Sequence, residues 1–318
     1  MRALLGQGED WQDWLRRAAR RRLPHALVIE GAPGTGKSHA ARELAAALLG
    51  GDERGAARRV ASGNHPDLHL LTVPEDRQEI PVDAVRALLD ELQRRPLEGG
   101  ARVAIVDPAD RLNEQGQNAL LKTLEEPGED AFLLLVARRP EGLLETVRSR
   151  AARLRIRPLD DATLRAALHD GTAPLPEGSS PSAVAAAIAG AAGSLGLARR
   201  LLDPSLRVLA DAVDRFLAAP VPSAVHPTAV ALGSAGGSKL EQEERAQGIL
   251  MLFRARLRAG VQLLLAEAEG PGYLPPHAER CLTALDAVFA AEQDLELGVP
   301  VGQSLEGLLL RLVGVFAV

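Results

Sequence analysis

Gly31-Ala-Pro-Gly-Thr-Gly-Lys-Ser38 is the stretch on which the reading of the fold turns. It is a glycine, four residues, then Gly-Lys-Ser, preceded by the apolar run Ala26-Leu-Val-Ile-Glu30 and followed by an Ala- and Leu-rich segment from Ser38 to Leu49. A buried strand, a glycine-rich turn and a helix in that order make a phosphate cradle. Gly31, Gly34, Thr35, Gly36, Lys37 and Ser38 are therefore the candidate nucleotide-binding residues. The glycines let backbone N–H groups face phosphate oxygens, and the helix N-terminus adds partial positive charge. Lys37 can reach the terminal phosphates and Ser38 can ligate Mg²⁺. ATP or ADP fits this cradle, and the motif leaves open whether the nucleotide is hydrolysed.

Outward from this stretch, the first half of the chain alternates strand and helix. Strands are expected at Ala26–Glu30, Leu68–Val73, Val103–Val106, Phe132–Val136 and Ala152–Ile156. Helical patterns lie at Asp10–Arg22, Ser38–Leu49, Val82–Arg95, Glu114–Glu125 and, briefly, near Gly142–Val147. Such alternation predicts a parallel sheet covered on both faces. Past Pro158 the strands stop. Asp161–Leu168, Ala183–Ala191 and Ser194–Leu202 read as short helices, with a Pro/Gly/Ser loop over Gly171–Pro181. Leu206–Ala218, Glu241–Glu269, His277–Leu297 and Gln303–Phe316 also read as helices, and Ala219–Lys239 as a long loop around a weak helix. Three modules follow: α/β over residues 1–158, a small helical one over 159–203 and an all-α one over 204–318.

Composition narrows the class. Of 318 residues 46% are hydrophobic and only 3% aromatic, so the core must rest on Leu, Ala and Val. A net charge of −5 excludes a molecule that is basic throughout, and leaves DNA contact to local patches. The one cysteine, Cys281, allows neither an internal disulfide nor a cysteine-based zinc site, and is expected as a small buried apolar residue. No stretch has the length of a membrane span and the N-terminal residues lack a signal-peptide core, so no membrane partner and a cytoplasmic location are expected.

A nucleotide site of this kind needs a second acidic strand end. Val103-Ala-Ile-Val-Asp107 supplies one, and Asp107 can hold Mg²⁺ through water. Pro108 follows, where hydrolytic P-loop enzymes commonly carry a glutamate that orients water, and a proline cannot accept a proton. Asp110 reads as a residue that caps or precedes the next helix rather than as a substitute. Arg16, Arg17, Arg20, Arg21 and Arg22 form a basic run that reads as a solvated helix face, with Trp11 and Trp14 packing its inner side.

Asn118-Ala-Leu-Leu-Lys-Thr-Leu-Glu-Glu-Pro127 resembles the signature of bacterial DNA polymerase III clamp-loader subunits. Pro24-His-Ala26, Gly63-Asn-His-Pro-Asp67, Asp107–Asn113, Ala137-Arg-Arg-Pro140, Val147-Arg-Ser-Arg150 and Gly193-Ser-Leu-Gly196 follow the order of that family. The resemblance covers residues 1 to 203 with specific motifs, and beyond them only a helical layout. It implies an AAA+ α/β P-loop module with a parallel sheet, a three-helix lid and an all-α collar. It is similar to the delta-prime branch rather than to the ATP-hydrolysing tau/gamma motor. Pro108 stands for one member of the motor's acidic pair, Gly196 for its third-module arginine, and Ala137 for its phosphate-sensing threonine or asparagine. The family's four zinc-binding cysteines are missing from Gly50–Arg59, so no zinc is expected, with His65 a turn residue and His69 a surface strand residue.

The resemblance further implies that Arg150 acts as an arginine finger, projecting to the phosphates of a neighbouring subunit's ATP. From residues alone, with Arg148, Arg153 and Arg155 around it, a surface salt bridge is the simpler reading. Implied partners are motor (tau/gamma) and delta subunits in a heteropentamer, with the sliding clamp and primer-template DNA reached through the complex. The competing expectation is an active AAA+ ATPase, either a motor subunit or a DNA translocase. A P-loop kinase or transporter ATPase fits the helical second half poorly.

Overall fold

The computed structural model describes residues 4–51, 55–74, 77–98, 100–169, 175, 179–233, 239–266 and 274–317. The chain divides into two compact units, Met1–Thr163 and Leu164–Val318.

In the first unit, strands β1 (Ala26–Glu30), β2 (Leu68–Leu71), β3 (Arg102–Val106), β4 (Ala131–Ala137) and β5 (Ala152–Arg155) form one parallel sheet in the order β2-β3-β4-β1-β5. Every residue of β1, β3 and β4 is buried. Their unbroken apolar runs are what a parallel sheet with helices on both faces requires. Alternate residues point to opposite layers. Leu27 and Ile29 pack with α1 (Gly8–Ala19), α2 (Lys37–Leu48) and α3 (Ala56–Ala61). Ala26 and Val28 pack with α4 (Val82–Leu92), α5 (Glu114–Glu125) and α6 (Glu145–Arg148). Trp11 of α1 is buried and donates from its indole nitrogen to Glu43 Oε2 at 3.0 Å on α2, whereas Trp14 is half-buried beneath the Arg17 guanidinium.

All five strands lie where the sequence puts them, within two residues at each end. Helix α4 stops at Leu92 rather than Arg95, in keeping with Pro96, which disfavours helical geometry in the residue before it. Helix α3 was not anticipated, and it fills part of the interval read as an empty zinc module.

Among the described residues the second unit is wholly helical. It holds most of α7 (Asp161–His169), then α8 (Pro181–Ala191), α9 (Leu195–Leu201), α10 (Arg207–Ala218), α11 (Pro222–Gly233), α12 (Lys239–Ala266), α13 (Pro276–Glu296) and α14 (Val301–Phe316). Its core includes Phe216 and Phe253, packed edge to face with centroids 6.2 Å apart. Cys281 lies half-buried against this core. Most of the loop expected over 171–181 falls outside the described residues. In the segment read as a long loop around a weak helix, the helix is α11, 12 residues long with Pro227 inside it. Burial of Val225 and Leu232 outweighs the poor propensity of an interior proline.

Gly190 marks a close helix-to-helix approach in this unit. A Cβ there would stand 2.6 Å from Ala255 Cβ and 3.2 Å from the Ala255 carbonyl oxygen, so α8 approaches α12 through a missing side chain. Gly190→Ala should cost about 1–3 kcal/mol despite the gain in helix propensity, because the obstacle is partly backbone. A lower urea midpoint of the full chain would show it; an unchanged or higher midpoint would count against this packing.

Candidate functional site

The glycine-rich loop leaves β1 at the carboxyl edge of the sheet, where parallel α/β folds bind ligands. Gly31 has φ 153, and a Cβ on it would lie 2.6 Å from the Ile156 carbonyl oxygen, so only glycine lets the loop pass the end of β5. Gly36, at φ 94, opens α2 without any side-chain cap. The first N–H groups of α2 thus have no capping side chain, beside an exposed Ser38 and exposed Gly34. Thr35 is buried and its hydroxyl donates to Ala32 O at 2.8 Å, which holds the turn. Lys37 is only 6% exposed, and its Nζ donates to Gly31 O and Ala32 O, each at 2.8 Å.

Asp107 directly follows β3, with its N–H on Leu71 O at 2.9 Å. Its carboxylate has no hydrogen bond or ion pair among the described residues. Burial pushes the Lys37 ammonium below its ordinary value, with a smaller push from Arg138; Asp107 and Asp110 oppose both. The candidate nucleotide residues and Asp107 therefore share one edge and one electrostatic neighbourhood. Ser38 and Asp107 are oxygen donors suited to Mg²⁺, which would screen the phosphate charge there.

Asp110 does something the sequence did not suggest. It lies in a turn of 3₁₀ helix over Ala109–Arg111, and its Oδ1 accepts the Arg138 N–H at 2.8 Å. It ties the exit of β4 to the exit of β3, and the helix cap belongs to Asn113, whose side chain accepts from Gly116 N. Buried Gln117 was also missed. It donates to Leu112 O and Gly142 O, both at 3.0 Å, and accepts from Leu144 N at 2.6 Å, fixing the chain between β4 and α6. An uncharged polar residue inside an apolar helix face was the available signal. Glu30 receives both arms of Arg153 from β5, at 2.8 to 3.1 Å.

Arg150 lies elsewhere. Leu27 pairs with Ala152 and Glu30 with Arg155, so Arg150 precedes the amino edge of the sheet while the loop follows its carboxyl edge. At roughly 3.3 Å per residue the separation along the strands is on the order of 20 Å. Arg150 cannot serve its own loop. It is exposed and its guanidinium pairs with Glu125 at 2.8 Å. The salt bridge that the residues alone suggested is present.

Residues 6–160 match the family described as "DNA polymerase III, delta subunit". Over 145 residues the chain is 40% identical to DNA polymerase III subunit delta' of Bacillus subtilis, covering 43% of this chain and 44% of that relative. The delta' subunit of Yersinia pestis is 35% identical over 157 residues, covering 44% of this chain and 46% of its own. Over these residues, just under half of the chain, it is similar to clamp-loader delta-prime subunits. DNA polymerase III subunit tau of Escherichia coli shares 32% over 154 residues, 45% of this chain and 23% of its own. The chain thus spans under half the length of the curated relatives it matches. Among the described residues no helix is long and apolar enough to cross a membrane.

The segment before β2 is closed by charge. His65 opens a turn, its carbonyl accepting the Leu68 N–H at 3.0 Å, and is buried there, with its Nδ1 accepting the Asp67 N–H at 3.2 Å. Asp67 accepts from Leu97 N at 2.7 Å and Glu98 N at 3.0 Å. Half-buried His69 faces Arg102 Nη1 at 3.2 Å. Among the described residues no group of three or more His, Cys, Asp or Glu could hold a metal. Burial, and then Arg59 for His65 and Arg102 for His69, hold both imidazoles below their ordinary value. The unfolded chain binds these protons more readily, so stability is full above about pH 6.5 and falls as the pH drops towards the depressed folded values. Melting temperatures at about pH 7 and about pH 5 should diverge more for the native chain than for a His65→Asn/His69→Asn variant. Equal slopes would remove the two histidines from the account.

Proposed function

We propose that this chain is a stator-like, delta-prime-type subunit of a DNA polymerase III clamp loader, working in the cytoplasm. It joins motor (tau/gamma) and delta subunits in a heteropentamer that loads the sliding clamp on primer-template DNA. Residues 159–203 serve as its lid and 204–318 as its share of the collar. The phosphate loop holds ATP or ADP with Mg²⁺ at Ser38 and Asp107, turns it over slowly or not at all, and needs no zinc. Arg150 is its contribution to chemistry: a planar cation donated to the phosphates of the neighbouring subunit's ATP.

One observation carries this reading. The cradle is intact on one edge of the sheet, with Pro108 where a water-orienting carboxylate would be, while Arg150 sits on the other edge, beyond reach of that cradle. A residue so placed can act on phosphate only in another molecule. The isolated chain should release almost no phosphate from ATP; robust release abolished by Lys37→Ala would favour an active ATPase instead. Within the reconstituted assembly, Arg150→Ala should lower DNA-stimulated ATP hydrolysis about tenfold or more while leaving assembly intact. An unchanged rate would end the finger assignment.

A further inference from the structure

Glu125 of α5 and the Thr146 carbonyl of α6 hold the Arg150 guanidinium between them. Nε donates to Glu125 Oε1 at 2.9 Å, and Nη2 stands 2.8 Å from the same oxygen. Nη1 donates to the Thr146 carbonyl at 3.2 Å, next to the Ser149 hydroxyl, which donates to the same oxygen at 3.2 Å. The side edge of the fork is thus occupied. These contacts use one donor each of Nε, Nη1 and Nη2, so of the five guanidinium donors two are left, one on each terminal nitrogen, for phosphate oxygens. The Arg150 side chain is 38% exposed and Glu125 54%, so the pair is open to an approaching molecule.

The gripping carboxylate is itself held. Glu125 is the last residue of α5, where the helix dipole adds negative potential that favours a cation. The preceding carbonyl, Leu124 O, lies 2.9 Å from His25 Nε2, just before β1. The segment leading into β1 therefore holds the end of α5 that carries Glu125, and α6 carries the Thr146 carbonyl.

We propose that Glu125 is a positioning residue for Arg150: it orients the guanidinium with its two remaining donors facing away from its own subunit, ready for a neighbour's polyphosphate. This rests on the finger reading of Arg150 given above. A flexible arginine loses rotamer freedom when it binds, and an exposed ion pair that pre-orders it saves part of that loss. An exposed pair is a modest device, so the effect is modest.

The test uses the reconstituted heteropentamer, with ATP and primer-template DNA, and compares E125A, E125D, R150A and the E125A/R150A double variant. E125A should lower kcat about two- to fivefold with KM for ATP unchanged, and E125D should restore part of it. The double variant should match R150A alone, because positioning matters only while the finger is present. A double variant slower than R150A, or an E125A rate equal to or above the native rate, would overturn the proposal; the last outcome would make Glu125 a brake. If R150A itself has no effect, the finger reading fails, which the same data separate from a failure of Glu125 alone. Should E125A not fold, the isosteric E125Q takes its place in every arm.

Discussion

Parallel pairing of β1 between β4 and β5 is the constraint from which the rest follows. Parallel strands present all their carboxyl ends on one edge and all their amino ends on the other. Because β1 is buried along its whole length, its register against both neighbours is held by side chains that have no other place to go. The phosphate loop is forced to the carboxyl edge, beside the exits of β3 and β4. Arg150, two residues before β5, is forced to the amino edge. The division between a site that receives nucleotide and a residue that reaches outward is thus a consequence of strand direction.

Charge then does on each edge what packing cannot. At the carboxyl edge a buried ammonium is satisfied by two loop carbonyls, and Asp110 clamps the exit of β4 through the Arg138 N–H. At the amino edge Asp67 accepts two successive backbone N–H groups, with Arg102 3.8 Å away. Breaking such buried sets leaves unpaired groups that cost more than the contacts contribute, which makes them effective at specifying local geometry. The histidine-containing cluster closes the segment before β2 by this means.

Much of this was legible beforehand because strong local signals agreed with one another. The buried strand runs are uninterrupted, and the glycines of the loop sit where positive φ or close approach demands them. What local signals mis-stated were cases where a distant partner decided. α11 was read as a weak helix within a long loop because Pro227 and low propensity are local facts, while burial of Val225 and Leu232 is not. His65 sits at the turn that its Gly-Asn-His-Pro setting suggests, and only packing shows it buried. Gln117 and Asp110 took roles set by backbone groups more than twenty residues away.

The amino-acid sequence alone determined the α/β-then-helical order, the phosphate loop and the family resemblance, since these rest on periodicity and on short contiguous motifs whose chemistry is local. Tertiary structure alone decided that Arg150 and the loop stand on opposite edges, that Glu125 and the Thr146 carbonyl share the guanidinium, and that His65 lies in a buried ionic cluster. Residues such as Glu125 and Arg150, 25 apart in the chain, meet only because α5 and β5 return to the same edge. No spacing along the chain encodes that meeting; the direction and register of the strands do.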